Sequence, residues 1–126
     1  MTFNPRRPYI LTSIFHAGLS GKTSILTIQN TGRALMASSM HDKLTYSHSV
    51  SRKNALLLEA ALSAMDFSIL SHEDAAVGND LSMWSVRLVQ GTNEWEWSVR
   101  TDRVEPSSLA PLRAALTAIA VDLKSS

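Results

Sequence analysis

There is no cysteine anywhere in the 126 residues. That excludes a disulfide framework, a thiolate nucleophile and any cysteine-held zinc or iron–sulfur centre, and it suits a reducing compartment, so a cytoplasmic location is expected. A surplus of one charge is lacking too. Twelve basic residues face 11 acidic ones for a net charge of +1, and neither kind gathers into a block. A nucleic-acid partner, which asks for a basic stripe, is therefore not expected. Long apolar runs are absent as well, the longest being a few residues against the roughly 20 that span a bilayer. Arg6 and Arg7 resemble the basic start of an export signal, but Thr12, Ser13 and His16 interrupt the apolar stretch after them. No leader and no membrane partner are expected.

The remaining composition is ordinary for a chain with one core: 44% of residues are hydrophobic and 18% charged. Residues 9–126 read as a single α+β domain. Residues 1–8, with Pro5 and Pro8 around the Arg pair, read as an N-terminal arm, mobile or at a strand edge.

Tyr9 to His16 favours a strand through Ile10, Ile14 and Phe15, although Leu11, Ile14 and Phe15 also match helical spacing. Thr23 to Gln29 alternates β-branched and polar types and leads into Asn30-Thr31-Gly32, a turn signal. Return strands are expected at 33–38 and 43–49, separated by Met40-His41-Asp42. Ser51 can cap a helix from Arg52, with Leu58, Ala61, Leu62 and Met65 on one face and Asp66 and Phe67 at its end. Residues 71–80 are polar and read as a loop. The plainest signal comes next. Trp84, Val86 and Leu88 share one strand face, and Trp95, Trp97 and Val99 share one face of the next strand. A Gly91-Thr92-Asn93 turn joins them, and Glu94, Glu96, Ser98 and Arg100 stand opposite on the wet side. Ser108 can cap a last helix that tolerates Pro111 in its first turn and buries Leu112, Leu116, Ile119 and Leu123.

Residues 24–32 resemble 85–93, and 58–65 resemble 112–119 in the same order. The halves therefore read as a ββα-ββα pseudo-repeat. The expected fold class is α+β, an antiparallel sheet with two helices packed on one face.

Candidate sites are sparse. His16, His41, His48 and His72 form no H-x-x-x-H or H-E-x-x-H pair, so no metal is expected, although His16 and His48 are candidates for neighbouring strands. Ser20 in Gly18-Leu19-Ser20-Gly21 lacks the full nucleophile-elbow spacing. Gly21-Lys22-Thr23 ends like a P-loop, but that motif's first glycine would fall at His16. Glu94 and Glu96, at i, i+2 on a wet strand face, read as solubility rather than as an acid–base pair. Trp84, Trp95 and Trp97 fit either a recognition platform or, better, core packing. Neither a catalytic site nor a cofactor is expected.

A glycine-rich turn, the stretch Leu26-Thr27-Ile28-Gln29-Asn30-Thr31-Gly32-Arg33, a helix ending in Asp66-Phe67, a long loop and Trp84-Ser85-Val86-Arg87-Leu88 occur in one order. Glu105-Pro106 and Leu109 to Leu116 then open the last helix. Over most of residues 9–123 this order resembles the emfourin-like proteins, small bacterial inhibitors of thermolysin-type metalloproteases, with a longer N-terminal segment than that family has. A second resemblance is to type III secretion chaperones, which are usually acidic and begin with a helix. The resemblance implies a non-enzymatic protein-binding module, an inhibitor of a metalloprotease, that presents an edge strand or loop to another protein. The loop residues Ala17, Gly18, Leu19, Ser20, Gly21 and Lys22 are the candidate contacts, together with the arm. A secretion chaperone or immunity-type binder is the alternative, and the chain is expected to be a monomer or homodimer.

Overall fold

A computed structural model of the chain describes residues 3–4, 6–16, 23–30, 35–41, 44–65, 83–100 and 109–125. Among these residues, six strands and two helices run in the order β1 (Ile10–His16), β2 (Thr23–Asn30), β3 (Leu35–His41), β4 (Leu44–Ser49), α1 (Arg52–Ala64), β5 (Met83–Gln90), β6 (Asn93–Arg100) and α2 (Ala110–Ser125). The strands form one antiparallel sheet in the order β4-β3-β2-β1-β5-β6. This is an α+β fold.

Register decides which side chains meet. Leu11 stands between Ile28 of β2 and Leu88 of β5, and Ser13 between Leu26 and Val86. Because side chains alternate across a strand, these residues share the face that the helices cover. Leu11, Ile28, Val86, Leu88 and Trp97 are buried there, against Leu58 and Leu62 of α1 and Leu112 and Ile119 of α2. Ser51 caps α1 by accepting a hydrogen bond from the Asn54 N–H at 3.2 Å. The two helices pack on each other, and α2 reaches over β3 and β4. Asn54 of α1 also donates to the Asp122 carboxylate of α2, tying the two helices by side chains.

Alternation in β5 and β6 places the tryptophans in the core: Trp84 and Trp97 are buried and Trp95 is half-buried against the cluster. A two-residue turn at Gly91-Thr92 closes this hairpin, with Gly91 at φ 60°. The outer face is less wet than alternation alone implies. Ser98 is buried, and its hydroxyl lies 3.1 Å from that of Ser85.

One strand boundary is corrected. Met40 and His41 belong to β3 rather than to a connection, since pairing with β2 and β4 continues through them. Among the described elements four strands precede α1 and two lie between α1 and α2, so the element order does not itself supply a ββα-ββα repeat; the matched strands β2 and β5 instead flank β1. Phe3 ties the N-terminal arm to the core, while Asn4, Arg6, Arg7 and Pro8 are exposed. Phe3 is buried edge-on against Tyr9, with ring centroids 5.0 Å apart. The Gln90 amide accepts from the Asn4 N–H at 2.9 Å and donates to the Asn4 and Arg7 carbonyls at 2.7 and 3.2 Å. Proline disfavours regular structure there, but a single buried aromatic and one amide clamp fix an irregular segment without it.

Candidate functional site

Ala17 to Lys22, the loop singled out by sequence, lies outside the described residues, as do the loop at 71–80, His72, Phe67 and Ser108. His16 and His48 do not converge. β2 and β3 separate His16 on β1 from His48 on β4, and register puts the two on opposite sheet faces. They are not on neighbouring strands. His16 Nδ1 instead lies 3.0 Å from the Thr23 hydroxyl. Among the described residues no three histidine or carboxylate side chains come together to hold a metal ion. Glu94 accepts from Arg87 Nε at 2.8 Å across β5 and β6, an exposed pair. That bond, with the neighbouring charges of Glu94 and then Glu96, raises the Arg87 pKa above its ordinary value.

The structure brings together a group that the sequence scatters. Between α2 and the sheet lies a cavity of about 320 Å³. Its floor is formed by Ser13 of β1, Ser24 and Leu26 of β2 and Ser39 of β3. Phe15 and Trp84 stand at its sides, and Arg113, Leu116, Thr117 and Ala120 of α2 roof it. The space has a simple origin. Serines occupy helix-facing positions in a face that is otherwise apolar, and α2 meets them with Thr117 and Ala120.

The polar groups here are arranged. Trp84 Nε1 donates to Ser13 Oγ at 2.8 Å in a buried bond. This satisfies the indole and leaves the Ser13 hydroxyl its own proton to donate. Ser39 is buried, and its hydroxyl makes no hydrogen bond among the described residues. The Arg113 guanidinium lies over the Trp84 ring, 5.7 Å from its centroid, within cation–π range. Thr117 turns its hydroxyl back to the Arg113 carbonyl at 2.8 Å, which leaves its methyl group toward the surroundings. The result is an apolar cleft with hydroxyl donors at its base and a cation at its wall, the composition typical of a small-molecule site.

Sequence reasoning missed this group because serines in strands usually mark the solvent side. The available signal was an anomaly of pattern: Ser13 sits at the middle of an otherwise apolar row, Leu11-Ser13-Phe15.

The sheet also ends in two unlike edges. β6 carries Glu94, Glu96 and Arg100 among its eight residues, whereas β4, Leu44-Thr45-Tyr46-Ser47-His48-Ser49, has no lysine, arginine, carboxylate or proline. Ser47, His48 and Ser49 are exposed. Among the described residues no helix is long and apolar enough to cross a membrane. No protein-family model matches the chain, and no curated protein matches it.

Proposed function

We propose that this chain is a non-enzymatic protein-binding module that takes an extended segment of its partner along β4, and that the partner is a thermolysin-type metalloprotease which it inhibits. The contrast between the two edges carries this reading. An edge strand turns alternate N–H and C=O groups outward, and proteins ordinarily fence such edges with charge or proline. β6 is fenced and β4 is not. Strand addition to β4 would draw affinity from main-chain bonds and specificity from Tyr46 and His48 on one side and Ser47 and Ser49 on the other. Residues 17–22 are a second contact surface of the same reading.

The double substitution Ser47→Lys with Ser49→Lys tests it, because both positions are exposed and the change leaves the core intact. Wild-type protein at stoichiometric excess should inhibit the protease, and the double variant should need at least about tenfold more, the equivalent of roughly 1.4 kcal/mol. No inhibition by wild type removes the protease as partner. Capture from a host lysate with both proteins then tests the edge itself, and a partner recovered equally by the two refutes it. The same uncharged edge is complementary to itself under a twofold axis, which favours a dimeric chaperone or immunity-type binder as the second reading. Light scattering that finds a dimer split by the double variant supports that one.

A further inference from the structure

We infer that the cleft beneath α2 binds an uncharged aromatic ring of fragment size that carries an oxygen at each end, a para-dioxygenated benzene. This goes beyond the β4 reading and does not depend on it. Strand register points to the ligand. Ser13, Leu26 and Ser39 stand side by side on β1, β2 and β3, in one row of the helix-facing side, so two hydroxyls bracket a leucine. Neighbouring strands lie about 4.8 Å apart, which puts the two serines roughly 9.6 Å from each other. With a hydrogen bond of about 2.8 Å at each end, the oxygens of a ligand that reaches both serines fall roughly 4–9 Å apart. A single oxygen cannot serve both, whereas the para oxygens of a benzene ring fall within that span.

Both serines are placed to receive such a ligand. They are only 9% and 7% exposed, so what reaches them must enter the cleft. Trp84 Nε1 fixes Ser13 by donating to its oxygen at 2.8 Å, which leaves the Ser13 proton to donate, and Ser39 makes no hydrogen bond among the described residues. Each offers a proton to an incoming oxygen in exchange for a water. The surface around them is apolar, with Leu26 between the serines, Phe15 and Trp84 at the sides and Leu116 above, which selects a flat hydrocarbon body. The volume of about 320 Å³ is at the small end of the range for small-molecule sites, which selects a compact one. Arg113 is already engaged, so the ligand is read from the hydroxyls and the apolar surface alone. An ionised end is disfavoured against them, because one hydroxyl replaces the lost hydration of a charge only in part.

The test uses the intact protein, with calorimetry for affinity and the indole N–H resonance of Trp84 as a reporter in the cleft itself. The probes are 1,4-benzenedimethanol and 4-hydroxyacetophenone, in mildly acidic buffer where the phenol keeps its proton. Each is compared with a counterpart that lacks one oxygen, 4-methylbenzyl alcohol and 4-methylacetophenone. The expected result is saturable binding of at least one two-oxygen probe with a shift of the Trp84 resonance, its counterpart being weaker by roughly three- to tenfold, the range for one hydrogen bond. 4-Hydroxybenzoate, the same ring with an ionised end, should bind more weakly than 4-hydroxyacetophenone. Ser39→Ala leaves the Ser13–Trp84 bond in place and should erase the difference between probe and counterpart. Ala120→Leu fills the cleft from the helix side and should abolish binding with the far-UV circular dichroism unchanged; Thr117→Leu serves the same purpose if Ala120→Leu fails to fold. No binding by either two-oxygen probe up to millimolar concentration overturns the inference. So does equal binding of probe and counterpart, a difference that survives in Ser39→Ala, tighter binding of the benzoate, or unchanged binding by a folded filled variant. The Ser47→Lys, Ser49→Lys double variant should bind the probes normally, which separates failure here from failure of the β4 reading.

Discussion

Replacing Tyr9 by phenylalanine should stabilise the protein, against the usual direction of core substitutions. Tyr9 is 2% exposed, and its hydroxyl has no hydrogen-bond partner among the described residues. The backbone at this point is fixed, because its carbonyl accepts from Asn30 N–H at 3.0 Å, and the ring is held edge-on to Phe3. The hydroxyl therefore cannot swing out to water without breaking contacts worth more than it would gain. A buried unpaired hydroxyl costs about 1–3 kcal/mol, which Tyr9→Phe removes while keeping the ring and its contact. For a domain of this size each kcal/mol moves Tm by about 4 °C, so a rise of about 4–12 °C is expected. Alkaline pH gives an independent readout. Burial, and then the nearby Glu59 carboxylate, raise the phenol's pKa well above its ordinary value. The folded state keeps the proton while the unfolded state, ionising near 10, loses it. Stability thus falls as pH rises above 10, by about 1.4 kcal/mol at pH 11 from this group. Urea melts of both proteins at pH 7, 10 and 11 should show a gap that widens by that amount. A Tyr9→Phe protein less stable than wild type, or a gap that stays constant with pH, would refute the reasoning.

Gln90→Leu keeps the volume but loses all three bonds that hold the arm. Amide exchange at residues 3–9 should accelerate at least about tenfold, and stability should drop by about 1–3 kcal/mol; protection equal to wild type would mean that Phe3 alone anchors the segment. Ser51→Ala removes the α1 cap and should cost about 1 kcal/mol in a urea melt with the slope unchanged. Gly91→Ala should cost only about 1–2 kcal/mol, because φ is 60° but no atom lies within 4 Å of the added Cβ; a loss beyond about 3 kcal/mol in the same melt would point to a clash that the turn does not contain.

Pattern made some elements readable and left others out of reach. Trp84-Val86-Leu88 and Trp95-Trp97 alternate around a two-residue turn, so their pairing and buried face followed from local chemistry alone. The helix stripes were legible for the same reason, since Leu58, Ala61, Leu62 and Met65, like Leu112, Leu116, Ile119 and Leu123, all face the core. Periodicity assigns a face to a strand but not a neighbour. That β1 pairs with β5, some 70 residues on, is a property of the assembled sheet, and the cavity depends on it because Trp84 reaches Ser13 only through that register. The anchoring of the arm was out of reach by a different route. Its prolines spoke against regular structure, whereas its burial came from Phe3 and from a glutamine 86 positions beyond Asn4.

Along β1 the helix-facing row passes from closed core to cleft, with Leu11 inaccessible, Ser13 buried and Phe15 half-buried. The gap is open to solvent and polar at its base, so the penalty of an enclosed apolar void, about 24 cal/mol per Å³, does not fall on it. The hydroxyls of Ser13 and Ser39 provide polar partners for water there. The row of small polar residues thus stays unclosed beside a core that is closed at Leu11 without the cost that a dry cavity of the same size would carry.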